Sequence, residues 1–191
     1  METSRAAFLP KVGTVASNAR TGERATELSA SPEAFWELAG PHKQKLYNFI
    51  RKALSFSDSA DDVFQETLLR GLKYFGSYDR EKKFDTWLFA IAHNEVRKHA
   101  RAVRWLNPLP LEESLAVTDE RVDRALVREV YRMAQSLKPK PREIFFLFYD
   151  SGFSIAEISR ITGVREGNVK FILNKARNTL KALLGGDDGK R

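Results

Sequence analysis

The segment from Phe84 to Trp105 combines cations with aromatic rings in a way that suits nucleic-acid binding. Its apolar residues recur at helical spacing and form one stripe, and the opposite face of the predicted helix is polar, cationic and aromatic. That face collects Trp87, Asn94, Arg97, Lys98, Arg101, Arg104 and Trp105. Cations hold phosphates, and exposed rings stack on unpaired bases. The face therefore predicts a surface for single-stranded nucleic acid; an equally good interpretation of this helix alone is that both tryptophans pack on a neighbouring helix.

A second polar and cationic surface is predicted in Ser154–Leu173, which carries the pattern of a helix-turn-helix. Ile155 and Ile158 would pack inward, and Gly163 would permit the turn. The outer face of the second helix presents Asn168, Lys170, Phe171, Asn174, Lys175 and Asn178, flanked by Arg165, Arg177 and Lys181. Asparagine can read adenine, lysine can hold phosphate and phenylalanine can contact a thymine methyl group. The pattern predicts a reader of the DNA major groove, and the alternative is a hairpin that packs only for stability.

Acidic side chains dominate the first exposed turns of the helix expected after Ser59. Ser59–Asp62 resembles a capping box, which would start this helix. The acidic face consists of Asp61, Asp62, Gln65 and Glu66. Acids in a first turn suit the helix dipole, but Gln65 and Glu66 continue beyond it. A basic partner surface is therefore a rival explanation.

Composition limits the kinds of chemistry available. The 191 residues carry a formal net charge of +7, which points to a polyanionic partner. The chain has no cysteine and three scattered histidines, so thiolate catalysis and a metal site are not expected, and neither is a cofactor. An enzyme that acts on nucleic acid, with His93 or Asp85 as general acid or base, is a further hypothesis. The sequence shows no paired carboxylates and no nucleophile to support it. Without a signal peptide or a spanning apolar run, we expect a cytoplasmic protein that does not insert into membranes.

The elements that must position these surfaces are all helices, so the sequence predicts an all-α fold. Two small helical domains, 31–105 and 122–184, would be joined by a flexible acidic linker, 106–121, in which two prolines block helix formation. Residues 1–30 lack a stable period and predict a flexible leader. The tail, 185–191, should be disordered.

Five motifs follow one another along the chain: Asp61–Arg70, Phe84–Asn94, Leu137–Glu143, Gly152–Ile158 and Gly163–Lys170. In these motifs the chain resembles the extracytoplasmic-function (ECF) sigma factors of bacterial RNA polymerase. The resemblance covers roughly Phe35 to Trp105 and Asp123 to Leu184, and the order and spacing of the motifs make it specific.

The resemblance implies a role for each surface. Core RNA polymerase would be bound by Asp61, Asp62, Gln65 and Glu66. The −10 promoter element would be bound and melted by Tyr78, Lys83, Phe84, Trp87, Asn94, Arg97, Lys98 and Arg101. The −35 element would be read by Arg165, Glu166, Asn168, Lys170, Phe171, Asn174, Lys175 and Arg177. We expect a non-catalytic initiation factor that binds core RNA polymerase and promoter DNA and is restrained by an anti-sigma factor.

Two departures from family patterns matter for this expectation. Ala90 and Ile91 occupy the places where housekeeping sigma factors carry a tryptophan pair, as is usual in the ECF family, so weak intrinsic melting and a strict promoter requirement are expected. Phe171 and Ile172 follow Lys170 where a Ser-Arg pair is common, so a −35 consensus cannot be transferred. The alternative function is a stand-alone helix-turn-helix regulator that dimerises through its N-terminal helices and binds a palindromic site without polymerase.

Overall fold

The computed structural model describes residues 31–55, 57–106 and 124–185. Every regular element in these ranges is helical, as the sequence predicts. The helices are α1 (Pro32–Ala39), α2 (Lys43–Ala53), α3 (Ala60–Tyr74), α4 (Phe84–Leu106), α5 (Arg124–Gln135), α6 (Pro139–Tyr149), α7 (Ile155–Thr162) and α8 (Glu166–Gly185), with short 3₁₀ helices at Gly40–His42 and Phe75–Ser77. The predicted leader, nearly all of the predicted linker and the tail beyond Gly185 lie outside the described residues.

The first four helices pack around a core dominated by aromatic side chains. Phe35, Phe49 and Phe89 have no exposed surface, and α3 packs along α4. Gly71 on α3 allows a close approach: a Cβ atom there would lie 2.9 Å from the Phe35 ring. Glycine at this position therefore allows α1 to pack closely on α3.

Local signals explain most of the helix boundaries. The Oγ atom of Ser31 accepts a hydrogen bond from the Ala34 amide, which caps α1 ahead of Pro32. The capping box predicted at Ser59 is wrong, because that side chain makes no capping hydrogen bond. Ser59 has helical backbone angles and lies in a turn, where its own amide donates to the Oγ atom of Ser57. The helix still begins where the sequence predicts.

The last three helices form the predicted helix-turn-helix and its support. Glu157 and Ser154 make a complete capping box at the start of α7. Gly163 ends α7 with φ of 68°, the left-handed conformation that favours glycine at a helix end. The buried residues Ile158, Val169 and Leu173 then hold α8 against α7 and α6. The outer face of α8 therefore remains exposed to solvent.

Candidate nucleic-acid interface

The cationic face predicted on α4 is present on the surface. The side chains of Asn94, Arg97, Lys98 and Arg101 are all exposed, and they lie opposite the buried Leu88, Ala92 and Val96. Arg104 and Trp105 lie at the end of the helix, and their side chains are outside the described ones. The described part of this face can therefore hold phosphates and offers one amide for polar contacts.

Trp87 is half-buried rather than fully exposed. Its indole lies with ring centroids 5.3 Å from Tyr78, 5.6 Å from Phe84 and 6.4 Å from Phe75. The packed part of the ring contacts the preceding loop, the 3₁₀ helix and the start of α4 itself, and the rest stays accessible. Such a supported ring can stack on a base without first losing much conformational freedom.

Phe84 differs from the expectation that it binds the −10 element. Its ring is only 7% exposed and packs edge-on against Phe35 and Phe75. The reason is its position on the apolar stripe of α4, which the helical period already places toward the core. In this conformation Phe84 packs against Tyr78 and Trp87, with ring centroids 5.3 Å and 5.6 Å away, and too little of its ring is exposed to stack on a base.

The loop before α4 is held by its own side chains. The Oδ1 atom of Asp79 accepts a hydrogen bond from the Glu81 amide, and its Oδ2 atom lies 2.8 Å from Lys82 Nζ. The Tyr78 hydroxyl donates to the Lys82 carbonyl at 2.5 Å, and partial burial raises the pKa of this phenol. The loop therefore presents Tyr78 and Lys83 in fixed positions beside the start of α4.

The outer face of α8 carries an exposed aromatic ring among amides and cations. Phe171 is 66% exposed, and it shares a shallow depression with Asn174, Lys175, Asn178 and Thr179. The other residues expected to bind the −35 element, Arg165, Glu166, Asn168, Lys170 and Arg177, are exposed as well. Arg177 Nη2 donates to Asn174 Oδ1 at 2.8 Å, which leaves the Asn174 amide nitrogen as the free donor of that side chain.

The acidic face of α3 is exposed at Asp61, Asp62 and Gln65 and half-buried at Glu66. The Tyr47 hydroxyl donates to Asp61 Oδ1 at 2.6 Å, and this hydrogen bond raises the pKa of the tyrosine. Sequence reasoning missed Leu69, which is 60% exposed on the same face. Helical spacing from Asp62 would have indicated its position. The face is thus acidic with an apolar side chain at its C-terminal end.

The two helical parts pack against each other, an arrangement that the sequence left open. Helix α4 packs on α7, and α2 packs on α6. The Phe89 and Phe153 rings meet edge-on at 4.8 Å, and Lys52 Nζ lies 2.5 Å from Asp150 Oδ1. One face of the melting helix proposed by resemblance is therefore covered by the first helix of the helix-turn-helix.

His93 and Glu143 form a buried polar contact across this packing. His93 Nδ1 lies 2.6 Å from Glu143 Oε2, and the two residues are 5% and 4% exposed. The other ring nitrogen, Nε2, is buried too. An acid–base role for His93 on a nucleic-acid substrate is contradicted by this burial, because no substrate can reach the ring.

A charged contact joins the loop before α4 to the helix-turn-helix. Lys83 Nζ donates to Glu157 Oε1 at 2.7 Å, while Glu157 also accepts from the Ser154 amide and hydroxyl. The hydrogen bond from Lys83, with those from Ser154, lowers the pKa of Glu157 to about 2. The same contact raises the pKa of Lys83. A residue expected to bind the −10 element is therefore already paired with a carboxylate in this conformation.

The described ranges lack two kinds of feature. None of their helices is long and apolar enough to cross a membrane. Within the same ranges, no group of three or more histidine or acidic residues could hold a metal ion.

Comparison with protein-family models finds two successive matches. Residues 38–106 match sigma-70 region 2, and residues 127–180 match sigma-70 region 4. The two matches fall on the two helical parts described above. They therefore connect the α4 face to region 2 and the helix-turn-helix to region 4.

Individual relatives are similar over nearly their whole length. The ECF RNA polymerase sigma factor SigM of Mycobacterium tuberculosis (strain Erdman) is 28% identical over 93% of this chain and 92% of its own. SigM of Bacillus subtilis is 30% identical over 77% of this chain and 93% of its own. Among solved structures, the sigma factor RpoE of Bartonella quintana, in complex with the anti-sigma factor NepR, has a TM-score of 0.70 and 27% identity, covering 80% of this chain and 98% of that chain.

Proposed function

The chain belongs to the family of ECF RNA polymerase sigma factors, and we propose that three separate surfaces divide its work in transcription initiation. The acidic face of α3 binds core RNA polymerase, the face of α4 with its preceding loop binds the −10 element, and the outer face of α8 reads the −35 element. The protein acts by binding alone and without catalysis. It works in the cytoplasm, where polymerase and promoter meet.

Polymerase docking is assigned to Asp61, Asp62, Gln65 and Glu66. Three of these side chains are exposed, and all four project from adjacent turns of α3. Carboxylates at the start of a helix add their charge to a surface that attracts a basic partner. The assignment is supported by the exposed face and by its place within the region 2 match.

Binding of the −10 element is assigned to Tyr78, Lys83, Trp87 and the exposed α4 side chains Asn94, Arg97, Lys98 and Arg101. The cations hold the backbone of a separated strand, and the half-buried rings stack on its bases. Phe84 is assigned a supporting role beneath those rings. Ala90 and Ile91 are half-buried and lack a wedge-shaped aromatic ring, so strand separation depends on capturing bases that open transiently.

Reading of the −35 element is assigned to α8 lying in the major groove. Asn168, Asn174 and Phe171 contact base edges, whereas Arg165, Lys170, Lys175 and Arg177 contact phosphates, and Glu166 stands at the helix start. This assignment is supported by the exposure of the whole set and by the buried seating of α8 on α6 and α7.

Control by an anti-sigma factor is the fourth part of the proposal. RpoE of Bartonella quintana is bound to an anti-sigma factor in a structure that resembles this chain over both helical parts. In the compact packing described here, Lys83 is engaged by Glu157 and α4 is covered on one side by α7. A protein that stabilises this packing would keep the −10 surface from DNA.

One observation carries the proposal: an exposed cationic face on α4 and an exposed reading face on α8 belong to one chain that matches sigma-70 regions 2 and 4 in order. The first test is to mix the purified protein with bacterial core RNA polymerase and separate the mixture by size. A stable holoenzyme is expected. Tight binding to a palindromic duplex without polymerase would instead indicate a stand-alone regulator.

The division of labour is tested on a promoter fragment selected from random DNA with the wild-type holoenzyme. Trp87→Ala should reduce strand opening, followed by permanganate reactivity of unpaired thymines, more than it reduces duplex binding. Lys175→Ala should reduce duplex binding more than opening, and Lys140→Ala, which removes an exposed cation outside both faces, serves as control. Equal effects of Trp87→Ala and Lys175→Ala on both steps would contradict the assignment.

A further inference from the structure

Four charged side chains form a row from the acidic face of α3 to the cationic face of α4. Arg70 Nε lies 2.7 Å from Glu66 Oε1 and 2.9 Å from Glu95 Oε1. Glu95 Oε2 in turn lies 3.6 Å from Lys98 Nζ. Glu66 belongs to the surface proposed to bind polymerase, and Lys98 belongs to the surface proposed to bind the −10 strand. The row therefore connects the two surfaces through Arg70 and Glu95.

Arg70 contacts two carboxylates that differ in how deeply they are buried. Its Nε carries a single proton, which it donates to Glu66 in the hydrogen bond at 2.7 Å. The Glu95 side chain is only 8% exposed, whereas that of Glu66 is 44% exposed. A buried carboxylate needs a cation nearby far more than a surface carboxylate does. Arg70 thus holds Glu66 in place at the surface and at the same time compensates the buried charge of Glu95.

Lys98 is the loosely held end of the row. Its distance of 3.6 Å from Glu95 is beyond a hydrogen bond, and its side chain is 59% exposed. An ion pair of this kind is weak in water. Lys98 is free to turn toward a phosphate as long as Glu95 is satisfied by Arg70.

We propose that Arg70 is a positioning residue that couples polymerase docking at Glu66 to strand binding at Lys98. The inference rests on the proposed function of the two surfaces. When a cation of the polymerase pairs with Glu66 Oε2, Glu66 is held where its Oε1 atom accepts from Arg70, so the guanidinium is also held beside Glu95 and the attraction of Glu95 for Lys98 decreases. Lys98 then pairs with phosphate more readily. Since coupling between two sites is reciprocal, strand binding at Lys98 also favours docking at Glu66.

The variants that test the coupling separate its two ends. Arg70→Met removes the shared cation, so Glu66 loses its support and the buried Glu95 carboxylate competes with phosphate for Lys98. Glu95→Gln, added to Arg70→Met, removes that competition but leaves Glu66 unsupported. Lys43→Met removes one exposed cation from the same helical part and serves as the matched control.

Two affinities are measured for each variant. Binding of fluorescently labelled protein to core polymerase reports docking, and binding of the saturated holoenzyme to the selected promoter fragment reports the DNA step. Arg70→Met should weaken both by about fivefold or more, the lower end of typical coupling between sites. The double variant should recover the DNA step to within about twofold of wild type, while docking stays weak. Lys43→Met should change neither.

Other outcomes overturn the inference or the function on which it rests. If wild-type protein docks on polymerase and Arg70→Met docks equally well, Arg70 does not position Glu66. If Glu95→Gln restores both steps or neither, Arg70 is only structural. Should Arg70→Met fail to fold, Arg70→Lys keeps the charge but loses the planar fork, and it should still weaken docking; normal docking would again refute the role. Failure of wild-type protein to bind polymerase would refute the proposed function itself.

Discussion

The packing of the two helical parts can be tested by breaking the buried contact between His93 and Glu143. His93→Phe keeps a ring of similar size on α4 and removes the partner of a carboxylate that is 4% exposed. A hydrogen bond to a charged group contributes about 1.5 to 3 kcal/mol, and a carboxylate left buried without its partner costs about 3 to 5 kcal/mol. These terms overlap, so we expect the variant to lose about 3 kcal/mol. Such a loss is a large fraction of the stability of an ordinary domain.

Tryptophan fluorescence reports on the unfolding of the N-terminal helical part. All three of them, Trp36, Trp87 and Trp105, precede α5, whereas helix content reports both parts. In the wild-type protein, urea unfolding followed by tryptophan fluorescence and by circular dichroism should give one coincident transition. In His93→Phe the helix signal should begin to fall at lower urea than the fluorescence, because the C-terminal helices lose their support first.

A second substitution tests whether loss of the contact between His93 and Glu143 causes the loss of stability. Glu143→Leu in the His93→Phe background replaces both partners with apolar groups, which is often nearly neutral. The double variant should therefore recover most of the lost stability and the coincidence of the two transitions. Glu37→Gln, an exposed charge change on α1, is the control. Coincident transitions in His93→Phe, with a change below about 0.5 kcal/mol as for a surface substitution, would refute the reasoning.

Three further changes test other parts of the structure. Gly71→Ala should lower the free energy of unfolding by about 1 kcal/mol in thermal or urea unfolding, because overpacking against the buried Phe35 ring outweighs the better helix propensity of alanine; an increase in stability would contradict the close approach. The pKa of Glu157 is lowered from 4.5 to about 2, so its contact with Lys83 contributes stability above about pH 4.5 that is lost as the pH falls toward 2; Glu157→Gln should flatten the pH dependence of unfolding in this window, and an unchanged slope would exclude the contact. Leu69→Ser should weaken polymerase docking severalfold without lowering the melting temperature, since the side chain is 60% exposed; equal docking would remove Leu69 from that surface.

The sequence predicted those features that depend on helical period and local capping. The helix-turn-helix was recognisable because Gly163 and the buried Ile158 occupy positions that few other folds require together. The exposed face of α4 followed from the same period, which also placed Phe84 in the core; the resemblance alone suggested that Phe84 contacts DNA. The structure buries Phe84 as the period predicts.

Contacts between residues distant in the chain could not be predicted from one sequence. Glu143 lies 50 residues from His93, and Glu157 lies 74 residues from Lys83. No local sequence pattern around either carboxylate indicates which residue it contacts. The pair of Glu66 and Arg70 was visible at helical spacing, but the participation of Glu95 depends on how α3 packs on α4. Sequence patterns therefore indicated the surfaces, whereas packing determined how the surfaces are connected.

The packing of the two parts also bears on how promoter binding is controlled. Lys83 donates one of its three ammonium protons to Glu157, and its side chain is 71% exposed, so a phosphate that reaches Lys83 meets a charge already partly compensated by a carboxylate. Glu157 is itself buried, at 7% exposed, and the Ser154 amide and hydroxyl also donate to its carboxylate. When Lys83 turns to DNA, the buried carboxylate therefore keeps two hydrogen-bond donors. His93 and Glu143 differ in this respect, since separating them exposes or orphans a buried group. Opening of the two parts thus breaks the buried pair as well as the ring contact between Phe89 and Phe153.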